Sequence, residues 1–282
     1  MKTVLEVITS AADYFARNKV ESPRLNIEHL LAHVLQKKRM DLYMQFDRQL
    51  SEEELAPLRA LMRRRVDGEP LQYLLGTTEF LSHTLKCDSR ALIPRPETEE
   101  LVEFLMREGK AEGCVWKSGH IVDVGTGSGC IALALAAAFP DARVTAADMS
   151  DDALALAAEN AEKLGLQGRV TFLKSNLLSA MEGPIDLLVA NLPYIPSAEI
   201  SGLQREVLRE PIMALDGGAD GLDLVRRMLS DAKAKLTPGA RIALELHLDQ
   251  PSKLAAELTG YSDIKAANDY SSRERFLYLR SV

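Results

Sequence analysis

The sequence predicts an α/β protein: a mostly parallel, doubly wound sheet, with an antiparallel strand near the C-terminus, follows a small helical domain. Three observations carry that prediction. From Pro96 onward, short apolar runs suited to a sheet covered on both faces alternate with helical patterns. Residues 1–72 show helical periodicity with few β-branched runs. The C-terminal stretch "IKAANDYSSRERFLYLRSV" reads as two strands joined by a charged turn, an antiparallel pair at one side of the sheet.

In chain order, Leu25, Glu28-His29, Leu30-Leu31 and Val34-Leu35 suit an amphipathic helix. "SEEELAPLRALMRRRVDGEP" opens with Ser51 and Glu54 at capping-box spacing and stops at Gly68 and Pro70. Residues 73–95 switch to short alternating runs with turn residues, as a β-hairpin connector would. The expected domains are therefore 1–72, the connector 73–95, and 96–282. Within the last, "HIVDVG" (120–125), "RVTAAD" (143–148), "RVTFLKS" (169–175), "IDLLVAN" (185–191) and "RIALEL" (241–246) are the strands. "GCIALALAAAFP" and "SDDALALAAENAEKLG" lie between the first three as helices, the second capped by Ser150 and stopped by Gly165. Trp116 and Phe139 read as core.

Composition narrows the function classes. Hydrophobic residues make up 46% and charged residues 27%, ordinary for a chain that buries a core. No apolar stretch reaches the roughly 18 residues that span a bilayer, and the N-terminus lacks a signal-peptide core, so a cytoplasmic location without membrane contact is expected. Cys87, Cys114 and Cys130 form no metal-like spacing and read as reduced thiols. A net charge of −7 argues against gripping long stretches of nucleic-acid backbone. Residues 1–90 hold 14 basic and 13 acidic groups, and the remaining 20 basic and 28 acidic groups follow them. The clusters Lys37-Lys38-Arg39 and Arg63-Arg64-Arg65 read as solvated helix faces, with contact to an RNA-bearing partner as the alternative. His29 and His33 are one helical turn apart but lack a third ligand, so no metal site is expected. His247 and Gln250, after the fifth strand, are expected in a surface loop, with a crevice-facing role as the alternative.

The chemistry concentrates after the first strand, at Asp123-Val124-Gly125-Thr126-Gly127-Ser128-Gly129, where a helix starts at once. Glycines there let the backbone turn sharply and approach a ligand closely. The spacing is not the Gly-x-Gly-x-x-Gly that seats a pyrophosphate, and no Lys-Ser or Lys-Thr of a triphosphate loop follows. Asp123 would repel phosphates but suit the ammonium end of an amino-acid-like cofactor. Asp148, 19 positions after Gly129 at the tip of the second strand, can accept both hydroxyls of a ribose. A ribose without phosphates joined to an amino acid describes S-adenosyl-L-methionine. Asn176 and Leu177, at the tip of the third strand, fall by position at the adenine edge; a loop-capping role for Asn176 is the alternative.

The fourth strand, "IDLLVAN", ends in Asn191-Leu192-Pro193-Tyr194 at the switch point of the sheet, so this segment faces the same crevice. A planar amide or amino nitrogen is a poor nucleophile because its lone pair is delocalised. Two acceptors holding its N–H bonds would let that lone pair point at a methyl carbon. The Asn191 side-chain oxygen and the Leu192 carbonyl can supply them, with Tyr194 packing over the flat group. Catalysis of this kind is positional and electrostatic, without a covalent intermediate or a tuned base.

With these residues, "GEPLQYLLGTTEF" (68–80), "LIPRPETEELVE" (92–103), "DVGTGSGCIALALA" (123–136), "ANLPYI" (190–195) and "LDGGADGLDLVRRML" (215–229), the chain resembles the release-factor glutamine methyltransferases. These methylate the side-chain amide of the glutamine in the Gly-Gly-Gln motif of class I peptide release factors. The resemblance implies a Rossmann-like class I methyltransferase sheet, with S-adenosyl-L-methionine on Gly125 to Gly129 and Asp148 and the target amide on Asn191 to Tyr194. It further implies that Arg95-Pro96-Glu97-Thr98 covers the cofactor, with Arg95 on the substrate side, and that the N-terminal helices dock the release factor. The partner is then a protein, with no nucleic-acid substrate, acted on by a monomer. Two positions depart from the family pattern: Leu192 stands where proline is usual, and Asn176 where aspartate is common. Rival readings are methylation of adenine N6 or another base amine, and a non-catalytic cofactor-binding homologue. The first would need a basic groove, and the retained Asn191, Tyr194, Asp148 and loop glycines count against the second.

Overall fold

A computed structural model describes residues 2–111, 113–114 and 116–282. The chain forms two compact units, one of Met1–Thr77 with Gln204–Arg209, the other of Thr78–Leu203 with Glu210–Val282.

The first unit is helical: α1 (Val4–Arg17), α2 (Pro23–Val34), α3 (Arg39–Tyr43), α4 (Glu52–Val66) and α5 (Leu71–Leu75). Capping boxes at Thr3/Glu6 and Ser51/Glu54 satisfy the free N–H groups that open α1 and α4. Phe15, Ile27, Leu30, Leu31 and Leu58 form the core. On α2 the expected face is rotated, for Leu25 is 42% exposed and Glu28 only 1%. Three donors converge on the Glu28 carboxylate and compensate its burial: Arg24 Nε at 2.9 Å, Arg39 Nη1 at 3.1 Å and Tyr43 Oη at 2.8 Å. The arginine cluster is solvated at Arg63 and Arg64 but not at Arg65. Arg64 is paired with Glu69, and the buried Arg65 donates Nε to Asn26 Oδ1 at 2.7 Å while pairing with Glu206.

The second unit opens with a hairpin of β1 (Thr77–Phe80) and β2 (His83–Lys86), narrower than the alternating stretch because Leu71–Leu75 winds one helical turn ending at Gly76 (φ 72°). There follow α6 (Pro96–Gly109), β3 (His120–Val124), α7 (Cys130–Ala138), β4 (Arg143–Asp148), α8 (Asp151–Lys163), β5 (Val170–Lys174) and β6 (Ile185–Asn191). The remaining elements are α9 (Asp223–Ala232), β7 (Leu236–Glu245), α10 (Gln250–Glu257), β8 (Tyr261–Asn268) and β9 (Glu274–Ser281). Seven strands order as β5-β4-β3-β6-β7-β9-β8, parallel from β5 to β7, with β9 antiparallel to both its neighbours. Every residue of β3 is buried, as expected of a central strand covered on both faces. Trp116 and Phe139 meet edge to face in the core, centroids 5.1 Å apart. The strand order reverses between β3 and β6, so the carboxyl ends of these two strands bound a crevice.

Candidate functional site

The glycine loop between β3 and α7 is closed on itself. Gly125 and Thr126 N–H both donate to Ala147 O (2.8 and 3.0 Å), Gly127 N–H to Asp148 Oδ2 (2.9 Å) and Gly129 N–H to Thr126 O (2.8 Å). Those four donors are consumed inside the protein. Gly125, Gly127 and Gly129 all have positive φ (74°, 55° and 83°), and a side chain at Gly125 would come within 2.9 Å of Leu192 Cδ2.

A cleft opens beside this loop. Gly125, Thr126, Gly127, Ser128, Asp148, Asn176, Leu177, Asn191, Leu192, Pro193 and Arg95 all line it, as does Thr98. Its two cations are already neutralised: Arg90 by Asp88 and Glu159, Arg95 by Glu210. Asp148 accepts from Gly127 N–H on one oxygen and Ser150 N–H on the other (both 2.9 Å), which leaves each with a lone pair for a hydroxyl donor. Leu177 has φ 54°, a left-handed conformation costing about 1–2 kcal/mol for a residue with a Cβ. Such strain collects where the surroundings over-determine the backbone, here on the cleft wall.

Asp123, Gly129 and Tyr194 stay outside the lining. Asp123 is fully buried behind the loop, so it holds the loop instead of meeting a ligand's ammonium group. Its Oδ2 accepts from Thr126 Oγ1 (2.6 Å) and Ala132 N–H (3.1 Å), while Oδ1 has no partner among the described residues. Burial pushes this carboxyl up to about 7. Gly129 instead lets α7 approach α8: a Cβ there would lie 3.0 Å from Ala157 Cβ. The Tyr194 ring sits beside His247, centroids 6.0 Å apart, and burial raises its phenol further above the ordinary range.

Asn191 ends β6 next to Glu245, which ends β7. Asn191 Nδ2 donates to Thr98 Oγ1 at 3.0 Å, and Thr98 Oγ1 donates to Glu245 Oε2 at 2.7 Å. Beyond Asn191 the chain is wrapped by residues 215–221. Ile195 N–H donates to Leu215 O (3.0 Å) and Gly217 N–H to Ile195 O (2.9 Å). A Cβ at Gly217 would lie 2.5 Å from Pro193 O, and one at Gly221 2.1 Å from Tyr194 O. Gln250 is buried, not in a surface loop: its Nε2 donates to Tyr194 O (2.9 Å) and Asp220 O (3.1 Å). Cys130, on the cleft wall, is pushed up to about 12 by burial, so it stays a thiol.

Sequence reasoning missed Thr98, Glu245, Gly217 and Gly221 as supports of the Asn191–Tyr194 segment. A signal existed for two kinds of them: Glu245 is the one charge within "IALEL", and "LDGGADGLD" is too rich in glycine for an ordinary loop.

Among known proteins, residues 6–76 match the family described as PrmC N-terminal domain and residues 98–218 that described as methyltransferase small domain. A release factor glutamine methyltransferase of Chlorobaculum tepidum is 41% identical over 98% of this chain and 96% of its own length. One of Moorella thermoacetica is 43% identical over 97% and 96%. Among solved structures, the hMettl16 catalytic domain in complex with MAT2A 3'UTR hairpin 6 shares the fold, with TM-score 0.53 at 17% identity over 82% of each chain. Both relatives align from end to end, across the helical unit as well as the cleft, and so the chain belongs to the release factor glutamine methyltransferase family.

Proposed function

We propose that this protein transfers a methyl group from S-adenosyl-L-methionine to the side-chain amide nitrogen (N5) of the glutamine in the Gly-Gly-Gln motif of class I peptide release factors. The observation that carries the reading is that the glycine loop, Asp148 and Asn191–Pro193 line one cleft. The cleft also fits this cofactor chemically. A loop with four of its N–H groups turned inward suits a ligand without phosphates, and Asp148 retains acceptor capacity for a ribose. Asp148, Gly125 to Ser128, Asn176 and the Leu177 backbone are the residues assigned to hold it, and it supplies an electrophilic methyl on a sulfonium.

The chain's own part is positional. Asn191 Oδ1 and the Leu192 carbonyl accept the two amide N–H bonds, and Tyr194, outside the present cleft lining, is the residue assigned to pack over the flat group. Arg95, fixed by Glu210 at 2.5 Å, orders the opposite wall. The Cys130 thiol stays protonated, so it offers no covalent route. The acting species in this reading is the monomer, in the cytoplasm, where release factors act.

Incubation with cofactor labelled in its methyl group and recombinant release factor, followed by mass spectrometry, tests this. Label is expected on the Gly-Gly-Gln glutamine. Label on RNA or DNA alone, or no transfer at all, sinks the proposal in favour of base methylation or of a non-catalytic protein.

A further inference from the structure

We infer that Glu245 is a positioning residue for the methyl acceptor: acting through Thr98, it fixes which end of the Asn191 amide is presented to the cleft. An ionised carboxylate only accepts hydrogen bonds. Glu245 Oε2, 2.7 Å from Thr98 Oγ1, therefore obliges that hydroxyl to donate its hydrogen to it. The Thr98 oxygen is then left to accept, and at 3.0 Å it takes the Nδ2 donor of Asn191. With its nitrogen committed, Asn191 offers its oxygen to the cleft, which is what holding a target N–H requires. If the chain ran the other way, Nδ2 would face the target amide and repel its N–H. The relay is dry: Glu245 and Thr98 are both buried, and Glu245 Oε1 has no partner among the described residues.

Burial pushes the Glu245 carboxyl up to about 7, opposed by the Thr98 hydrogen bond and, more weakly, by one from the Asn191 side chain itself, which commits the same Nδ2 donor. The other charged or titratable groups acting on it are Arg275 from β9, Glu97 from α6, Tyr194 after β6 and Cys130 from α7. Once protonated, Glu245 can itself donate, and Thr98 is free to reverse. The relay's direction is thus held above the midpoint and lost below it.

This rests on Asn191 holding the acceptor amide, so the test has one arm that needs no methyl transfer. In the ligand-free protein, the Asn191 side-chain NH₂ signals, identified by their loss in Asn191→Asp, are followed by ¹H–¹⁵N NMR against pH. They are expected to shift with a midpoint near 7. In Glu245→Gln that shift should vanish. In the catalytic arm, Glu245→Gln should lower kcat at least about tenfold and flatten its acid limb, with cofactor Kd changed less than about threefold. Thr98→Val should do the same, and Thr98→Ser, which keeps the hydroxyl, should recover most of the loss. Asn191 signals that do not respond to pH, or a Glu245→Gln enzyme with unaltered kcat and acid limb, would overturn the relay. Label on an unexpected acceptor with the NMR shift intact would overturn the functional reading and leave the relay standing.

Discussion

The two sides of the cleft are built differently. The loop side is held by its own backbone: Gly125, Thr126, Gly127 and Gly129 find their partners between Thr126 and Asp148. The acceptor side is held by groups remote in sequence, with Thr98 and Glu245 behind Asn191 and Gly217, Gly221 and Gln250 around Pro193 and Tyr194. The first is preorganised by a local fold. The second is only as well placed as the packing of distant elements, so substitutions far from the chemistry should impair methyl transfer while sparing cofactor affinity.

The largest expected effect breaks the acceptor side directly. Asn191→Ala removes the oxygen assigned to the target amide and should lower the single-turnover rate by roughly 10²–10³. Near wild-type turnover would remove Asn191 from the mechanism.

A packing test comes next. Gly221 has φ 77°, and a methyl there would lie 2.1 Å from Tyr194 O and 2.4 Å from Gln250 Nε2. Gly221→Ala should cost about 1–2 kcal/mol for the backbone and about 1–3 kcal/mol more for overpacking. Gly165 is the matched control, because it has φ 69° with nothing within 4 Å, so Gly165→Ala meets the backbone cost alone. Urea midpoints of the two variants give the difference. Equal losses would mean that residues 217–221 do not buttress Tyr194.

The loop side is tested through pH. The Asp123 carboxyl is raised to about 7 when folded, against about 3.9 when unfolded. Its favourable contribution is therefore complete below the unfolded value and lost as pH climbs through 7. The corresponding penalty at pH 8 has an upper bound on the order of 4 kcal/mol, reduced by relaxation. Asp123→Asn removes that titration but leaves a buried NH₂ to satisfy, at about 1–3 kcal/mol. Relative to wild type, the ligand-free variant should thus gain Tm between pH 5 and pH 8. A Tm difference independent of pH would show that Asp123 ionises normally.

The same contrast explains how much was legible in the sequence. The strands, the Ser51 and Ser150 caps, the glycine loop and Asp148 follow from short-range patterns, and the structure places them as those patterns dictate. The face of α2 was misread because the burial of Glu28 depends on Tyr43, 15 positions away, and on Arg39. Asp123 looked ligand-facing because a one-dimensional reading knows that it flanks the loop but not on which side of the sheet. Glu245 stands out as the one charge in its strand, but its role was unreadable for the same reason, since that role lies in strand register with Asn191, 54 positions earlier, and in the Thr98 hydroxyl, 147 positions earlier.

The smallest expected effect concerns the residue where the two sides touch. Leu192 is buried, and its Cδ2 occupies the space that a Cβ on Gly125 would need. Leu192→Pro restores the residue usual in the family and keeps the carbonyl assigned to the target amide. Asn191, as the last residue of β6, already has the extended conformation that a following proline demands. The gain from restricting φ is about 0.4–1 kcal/mol. Against it stands the loss of leucine methyls packed on the loop, of similar size. Stability should therefore change by less than about 1 kcal/mol and kcat rise no more than about fivefold. A rise of several orders of magnitude would mean that the backbone at 192, not the acceptor pair, limits the wild-type enzyme.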